Sequence, residues 1–267
     1  MTPPSLVATD LDGTLVRTDG TISGLTRKVL AELDERDVPV VIVTARPLRW
    51  MDDLWPMVGR HGFAIVSNGA IWYDVAAGRV RDLSGIEVVA GLRLCEVISR
   101  AVPEAGFAVE TLSGIAMDPR YVDHHGAPPD SPVGPLADIW TEPAVKLLVQ
   151  HEGLDPQEFR ERVIAAVGET ATPTWTGDHL VEISAAGITK AATLARLADE
   201  LGVTAADAVV FGDMPNDIAM FEWAGTSYAM ANGDPSVIDV ADHVAPSNDD
   251  DGVARVLVDL FGLAAPG

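Results

Sequence analysis

The feature that most constrains the fold is a series of short strands that are apolar on both faces. The first forms the beginning of VATDLDGTL (7–15), and the other three are VVIVT (40–44), FAIVS (63–67) and AVVFGD (208–213). A strand buried on both faces needs helices packed on each side of its sheet. The segment after Ser23, a good N-cap residue, has the periodicity of such a helix. The sequence therefore predicts an α/β fold built on a parallel sheet.

Polar residues stand at the carboxyl ends of these strands. Asp10 and Asp12 follow the first strand, Thr44 ends the second, Asn68 follows the third, and Asp213 ends the late one. In open α/β sheets, ligands collect beyond the carboxyl ends of the strands. We therefore expect one site to gather these five residues.

Three ordinary explanations compete with a site at the two aspartates. An Asp-Gly turn accounts for Asp12 but not for Asp10. A calcium loop counted from Asp10 would need an oxygen ligand, a glycine and a glutamate where the chain has Thr14, Leu15 and Thr21, and only Thr14 fits. Incidental surface acids are the third explanation, in a chain with 40 acidic residues.

The region of about 83–186 differs from its surroundings. It holds more tryptophan, histidine and proline, and the runs VKLLVQ (145–150) and HLVEIS (179–184) are typical of antiparallel strands. The βα alternation returns at Thr189, which is placed to cap a helix. We predict a Rossmann-like core of residues 1–82 and 187–267, with an inserted α+β domain at 83–186.

Composition restricts the partners and the compartment. With 18 Lys and Arg against 40 Asp and Glu, the net charge of -22 opposes nucleic acid and anionic membranes, so an anionic substrate needs a local device such as a metal ion. Cys95 is the only cysteine, and the apolar run VPVVIVTA (38–45) is too short to span a bilayer. We expect a cytoplasmic monomer or weak homodimer.

A lysine and a second acidic segment extend the site. Lys190 stands in the first turn of its helix, where the dipole disfavours a cation, so it is either solvated or paired with an anion. GDMPNDIAMF (212–221) places Asp213 at a strand end and Asn216 and Asp217 in a helical turn, where capping also explains them. Converging carboxylates need a hard cation, and Mg2+ suits an oxygen-rich site.

These residue types can transfer a phosphoryl group. Asp10 could attack phosphorus and form an aspartyl phosphate, while Asp12 protonates the leaving alcohol and later deprotonates water. The Thr44 hydroxyl, backbone amides and the Lys190 ammonium could hold the phosphoryl oxygens. This division of labour explains a need for two carboxylates.

Four ordered motifs carry a family resemblance: DLDGTL (10–15), VTAR (43–46) with SNGA (67–70), ITKAATL (188–194) and GDMPNDIAMF (212–221). The stretch 229–254 adds to it. The sequence resembles phosphatases of the haloacid dehalogenase superfamily, in the Cof-like group (type IIB) with a large C2 cap. The resemblance implies an Mg2+-dependent phosphatase whose cap selects the substrate.

The resemblance also implies a role for each matching residue. Asp10 is then the nucleophile and a metal ligand, and Asp12 is the acid/base with its backbone carbonyl on the metal. The other implied metal residues are Asp213 and, through water or Lys190, Asp217. The implied substrate and phosphate residues are Thr44, Ala45, Asn68, Lys190 and Asn216, of which Lys190 is also implied as a catalytic residue. Alanine stands at 45 and 191 where the group often has glycine, which bears on substrate fit.

We predict hydrolysis of a small phosphorylated metabolite such as a sugar phosphate. A phosphomutase of the same superfamily and a non-catalytic phosphometabolite-binding protein are the alternatives. The candidate cap residues for the leaving group are His124, His125, Trp175, Asp178 and His179.

Overall fold

The computed structural model describes residues 3–57, 62–124, 126–175 and 177–264. They form two compact units. The core unit comprises the chain up to Asp82 and again from Thr189 onward, and the cap unit is Leu83–Ile188. The α/β fold class expected from the sequence is confirmed, with a mainly parallel sheet in the core unit and a separate sheet in the cap unit.

The core sheet has eight strands in the order β13-β12-β11-β1-β2-β3-β4-β5. Every pair from β13 to β3 is parallel, and β4 runs antiparallel to β3. The strands are β1 Leu6–Thr9, β2 Val40–Val43, β3 Phe63–Val66, β4 Ile71–Asp74, β5 Arg79–Leu83, β11 Ala208–Gly212, β12 Thr226–Met230 and β13 His243–Ala245.

Helices cover this sheet, as the doubly apolar strands require. The core helices are α1 Gly24–Glu35, α5 Lys190–Leu201, α6 Ile218–Trp223, α7 Pro235–Ile238 and α8 Gly252–Phe261. The two predicted helix N-cap residues are confirmed. The side chain of Ser23 accepts a hydrogen bond from Thr26 N, and that of Thr189 accepts one from Ala192 N. β1 and β2 are buried at every residue.

The cap unit has a five-stranded sheet in the order β7-β6-β8-β10-β9, with antiparallel pairs throughout. The predicted antiparallel strands at 145–150 and 179–184 are thus confirmed. The cap strands are β6 Gly106–Glu110, β7 Ile115–Met117, β8 Lys146–Gln150, β9 Ala171–Thr174 and β10 Leu180–Ala185, and the cap helices are α2 Val88–Ala101, α3 Leu136–Ile139 and α4 Pro156–Val167.

The two faces of the cap sheet differ in chemistry. Phe107, Leu147 and Ile183 lie in the apolar cluster of this unit, together with residues of α2 and α4. Lys146 and Glu182 directly precede Leu147 and Ile183 along the strands, and they form a buried ion pair with Nζ 2.6 Å from Oε1. The alternation of the strands places this ion pair on the face opposite the cluster, together with a smaller apolar cluster that includes Ala108 and Leu148.

None of the described helices is both long enough and apolar enough to cross a membrane.

The packing of α2 yields a prediction about the cap unit. A Cβ atom on Gly91 would lie 1.8 Å from Cη2 of Trp140, whose Nε1 donates a 2.8 Å hydrogen bond to Glu142 O. Gly91→Ala gains about 1 kcal/mol of helix propensity but forces a buried ring to move, which costs about 1–3 kcal/mol and more where the overlap is this severe. We expect a lower melting temperature by calorimetry.

Gly24→Ala is the matched control, because this glycine also lies in a helix and has no atom within 4 Å of an added Cβ. We expect it to leave the melting temperature unchanged or raise it. An equal or higher melting temperature for Gly91→Ala would contradict the packing described here.

Candidate functional site

The two aspartates of the first motif have different surroundings. β1 ends at Thr9, so Asp10 and Asp12 lie beyond the strand and do not project as neighbours on one face of it. Asp10 is buried, whereas the side chain of Asp12 is 55% exposed. The chain turns between strand and loop at Gly13, whose φ of 79° is a left-handed conformation that glycine adopts readily.

A buried lysine connects two of the carboxylates. Nζ of Lys190 donates hydrogen bonds of 2.7 Å to Oδ1 of Asp10 and of 2.7 Å to Oδ1 of Asp217. Lys190 is only 2% exposed, so a solvated lysine is excluded. Burial alone would lower the pKa of Lys190, but the two carboxylates outweigh it and hold the pKa above its ordinary value.

Asp217 also fixes the backbone of its own motif. Its Oδ2 accepts hydrogen bonds from the amides of Asp213 (3.0 Å) and Met214 (3.1 Å). A Cβ on Gly212 would lie 2.5 Å from Cβ of Asp217, so only glycine permits this approach. Both Asp217 oxygens are therefore used in positioning Lys190 and the loop.

Residues of the first motif contact the carboxylate of Asp213 and fix its position. Thr14 Oγ1 donates a 2.8 Å hydrogen bond to Oδ1 of Asp213, and a Cβ on Gly13 would lie 2.2 Å from Oδ2. Burial, followed by the charge of Asp217, raises the pKa of Asp213 to about 6. Burial likewise raises the pKa of Asp10 well above its ordinary value, although Lys190 opposes this.

Three of these carboxylates form a cluster that could hold a metal ion. One oxygen each from Asp10, Asp213 and Asp217 lies within 4.8 Å of the others, and all three residues are buried. No described residue donates a hydrogen bond to Oδ2 of Asp10 or Oδ2 of Asp213. The donor set is all oxygen, which suits a hard divalent cation. Among the residues that the structure describes, the carboxylate of Asp12 lies outside this cluster.

The strand end of β2 contacts the turn after β3. Thr44 is buried, and its Oγ1 accepts a 3.1 Å hydrogen bond from the amide of Arg46, while its carbonyl accepts one from the amide of Asn68. Asn216 Nδ2 donates a 3.1 Å hydrogen bond to Oδ1 of Asn68. The half-buried Ala45 lies between Thr44 and Arg46. The predicted neutral polar residues thus meet at one edge of the sheet.

The turn after β3 is strained and packs on α5. Ser67, Asn68 and Gly69 have φ values of 53°, 56° and 105°, of which only the last is unstrained for its residue type. A Cβ on Gly69 would lie 2.3 Å from Thr189 O, and Thr193 Oγ1 donates a 2.8 Å hydrogen bond to Gly69 O. The turn therefore fixes the first turn of the helix that carries Lys190.

Sequence reasoning missed two residues of this site. Arg46 forms a bidentate ion pair with Asp12, with Nε 2.8 Å from Oδ2 and Nη2 2.6 Å from Oδ1. Thr14, which the sequence suggests only as a calcium ligand, donates its hydrogen bond to Asp213 instead. The available signal for Arg46 was its place two residues after the polar strand end at Thr44.

Two of the predicted cap residues contact the same arginine. The guanidinium carbon of Arg160 lies 5.5 Å from the ring centroid of Trp175, and Arg160 Nη2 is 3.0 Å from Oδ1 of Asp178. Both contacts lie within the cap unit, so the cap's own packing accounts for these residues. Their selection of a leaving group stays a prediction.

The cap histidines show no cluster in the described part of the chain. His124 is exposed, with Nε2 3.0 Å from Oε1 of Glu152, and the carbonyl of His179 accepts a hydrogen bond from the amide of His151. His125 lies outside the described residues.

Known proteins resemble the chain over nearly its whole length. A 5-amino-6-(5-phospho-D-ribitylamino)uracil phosphatase of Bacillus subtilis is 28% identical over 276 residues, covering 98% of this chain and 99% of the relative. A phosphoglycolate phosphatase of Halorubrum lacusprofundi is 28% identical, covering 97% and 98%. A pyridoxal phosphate phosphatase of Escherichia coli is 27% identical, covering 94% and 97%.

Solved structures share the fold. The crystal structure of SMU.1108c from Streptococcus mutans matches with a TM-score of 0.83 and 22% identity, covering 97% of this chain and 99% of that one. The model of the haloacid dehalogenase-like hydrolase family matches residues 7–257. The chain therefore belongs to the haloacid dehalogenase-like hydrolases.

Proposed function

We propose that the protein is an Mg2+-dependent phosphatase that hydrolyses the phosphate ester of a small metabolite through an aspartyl phosphate on Asp10. The observation that carries the proposal is the buried contact of Lys190 with Asp10 and Asp217, beside Asp213. A group of buried carboxylates around one lysine is costly to fold, which favours a functional role over a structural one. The phosphatase relatives support the same reaction.

In the first half-reaction, an oxygen of Asp10 forms a bond to phosphorus as the bond to the ester oxygen breaks. The leaving oxygen takes that electron pair and a proton from Asp12. In the second, water attacks phosphorus and gives a proton to Asp12, and the bond to Asp10 breaks to release phosphate. The greater exposure of Asp12 supports its role, because a group that exchanges protons needs access to the ester oxygen and to water.

Lys190 and Thr44 would hold the phosphoryl oxygens. The ammonium of Lys190 has three donors, of which Asp10 and Asp217 use two. Thr44 Oγ1 accepts from the Arg46 amide, so its own hydrogen remains available as a donor. Ala45 would contribute through its backbone, and Asn68 and Asn216 would line the entrance.

The site residues also fit Mg2+. Asp10, Asp213 and the backbone carbonyl of Asp12 would hold the ion, with Asp217 acting through water or Lys190. When bound, Mg2+ would supply positive charge that offsets the phosphoryl oxygens and the carboxylates. In a chain with a net charge of -22, a local cation is the natural device for an anionic substrate.

The relatives support a substrate class, since they are phosphatases of a phosphoribitylamino uracil, phosphoglycolate and pyridoxal phosphate. We propose a small phosphorylated metabolite, a sugar phosphate included, with the cap unit selecting the leaving group. A cytoplasmic location and a monomeric or weakly dimeric state belong to the same proposal.

Loss of the nucleophile tests the reaction. With Mg2+ and a panel of sugar phosphates, nucleotides and pyridoxal phosphate, we expect release of free phosphate from at least one compound. Asp10→Asn should lower that rate on the order of a thousandfold or more, because an amide oxygen is a poor nucleophile.

Asp53→Asn is the control, since Asp53 is an exposed aspartate of the same unit, and it should keep the wild-type rate. Equal rates for wild type and Asp10→Asn would contradict the role of Asp10. Transfer of phosphate to a second sugar without release would indicate a phosphomutase.

The pKa of Asp213 yields a second prediction. A carboxyl group with a raised folded-state pKa contributes stability that is fully present below its ordinary pKa of 3.8 and is lost as pH rises through about 6. In EDTA, we expect the melting temperature to fall more steeply between pH 4 and pH 7 in wild type than in Asp213→Asn.

Mg2+ should reverse this loss at pH 7, because it binds the ionised carboxylates. A concentration about 100 times the dissociation constant stabilises by roughly 2.7 kcal/mol. Asp213→Asn should lose most of that gain, and Asp53→Asn should keep it. An equal Mg2+ effect in Asp213→Asn would remove Asp213 from the metal site.

A further inference from the structure

The ion pair with Arg46 engages the Asp12 carboxylate, which the proposed reaction needs for proton transfer. Each oxygen of the Asp12 carboxylate accepts a hydrogen bond from the guanidinium, at 2.8 Å and 2.6 Å. A carboxylate held in this way faces a hydrogen-bond donor at each of its oxygens. It cannot give a proton to a leaving oxygen until at least one of these bonds opens.

The pair is not a stabilising element of the core. The side chains of Arg46 and Asp12 are 26% and 55% exposed. Exposed ion pairs typically contribute about 0.2–1 kcal/mol, and the bidentate geometry places this pair toward the upper end of that range. The pair can therefore open at little cost when another anion competes for the guanidinium.

The backbone of Arg46 is held by hydrogen bonds, while its side chain is partly exposed. Its amide donates to Thr44 Oγ1, and its carbonyl accepts a 2.9 Å hydrogen bond from the amide of Ser67. Movement is thus confined to the side chain, which can pivot about a fixed Cα atom.

Arg46 and the nucleophile leave the same edge of the sheet. β1 and β2 are parallel neighbours, with Thr9 opposite Ile42, so Asp10 and the loop that carries Arg46 follow adjacent strand ends. The charge of Asp10 contributes to a raised pKa of Arg46, after the larger effect of Asp12. A phosphoryl group held at Asp10 would therefore come close to the guanidinium.

We propose that Arg46 exchanges partners, pairing with Asp12 in the free enzyme and with the phosphoryl oxygens when a phosphate group binds, which releases Asp12 for proton transfer. Guanidinium binds phosphate and carboxylate through the same bidentate geometry, so one fork can serve both. Arg46 is then a phosphate-binding residue and a positioning residue for Asp12. The inference rests on the proposed function of this site.

Binding of inorganic phosphate tests the exchange without turnover. Calorimetry with Mg2+ compares wild type, Asp12→Asn, Arg46→Met and the double variant. Asp12→Asn should lower the dissociation constant for phosphate if Asp12 and phosphate compete for Arg46. The factor by which it does so should be about two to five times larger when Arg46 is present than in the Arg46→Met background. Arg46→Met alone should weaken binding.

If Arg46 stays paired with Asp12 when phosphate binds, the coupling between the two substitutions should have the opposite sign. Removing Arg46 then exposes an uncompensated carboxylate, and Asp12→Asn would help more in the Arg46→Met background. That result, or an equal effect in both backgrounds, would overturn the exchange. Arg46→Lys serves as a second variant, because it keeps the positive charge without the bidentate guanidinium. In its background we expect Asp12→Asn to have a smaller effect on phosphate binding than in wild type.

Failure of the exchange can be told apart from failure of the proposed function. Ester hydrolysis that depends on Asp10, together with the wrong sign of coupling, would overturn only the exchange. A wild-type protein that neither binds phosphate nor hydrolyses any phosphate ester would overturn both.

Discussion

The buried ammonium of Lys190 is the interaction on which the site depends. It joins the end of β1, through Asp10, to the loop after β11, through Asp217, and it starts α5. Removing one partner from a buried ion pair costs about 3–5 kcal/mol, because the remaining charges lose their compensation. The positions of the strands, the helix and the loop are therefore coupled through three side chains.

Close approaches between backbone and side chains complete the assembly. Gly13 lies against Asp213, Gly212 against Asp217, and Gly69 against Thr189, at distances where a Cβ atom would overlap its neighbour. The turn at Ser67 and Asn68 carries left-handed backbone that costs about 1–3 kcal/mol per residue. This strained turn thus lies where the core unit gathers its polar groups, as functional sites often require.

Much of this arrangement is readable from the sequence, because strand ends in a parallel sheet share one edge. That rule places Asp10, Thr44, Asn68 and Asp213 at one edge of the sheet. The carboxylates of the two aspartates supply the anions with which a lysine in the first turn of a helix, such as Lys190, would pair. Pattern alone did not reveal that Lys190 is fully buried, or that Asp12 turns away from the carboxylate cluster to pair with Arg46. Those facts depend on where β1 ends and on side-chain geometry. In the cap, alternation identified the antiparallel strands, but Trp175 and Asp178 meet Arg160, a contact that has no sequence signal.

The central claim is that Asp10 carries the phosphoryl group during hydrolysis. Asp12→Asn treated with p-nitrophenyl phosphate and Mg2+ tests it most directly, because this ester needs no general acid and the variant lacks the base for the second step. Mass spectrometry after acid quenching should find one phosphoryl group on the peptide that contains Asp10, and none when Asp10 is also replaced by asparagine. Repeated release of nitrophenolate with Asp10 unmodified, or a phosphoryl group on another residue, would contradict the account.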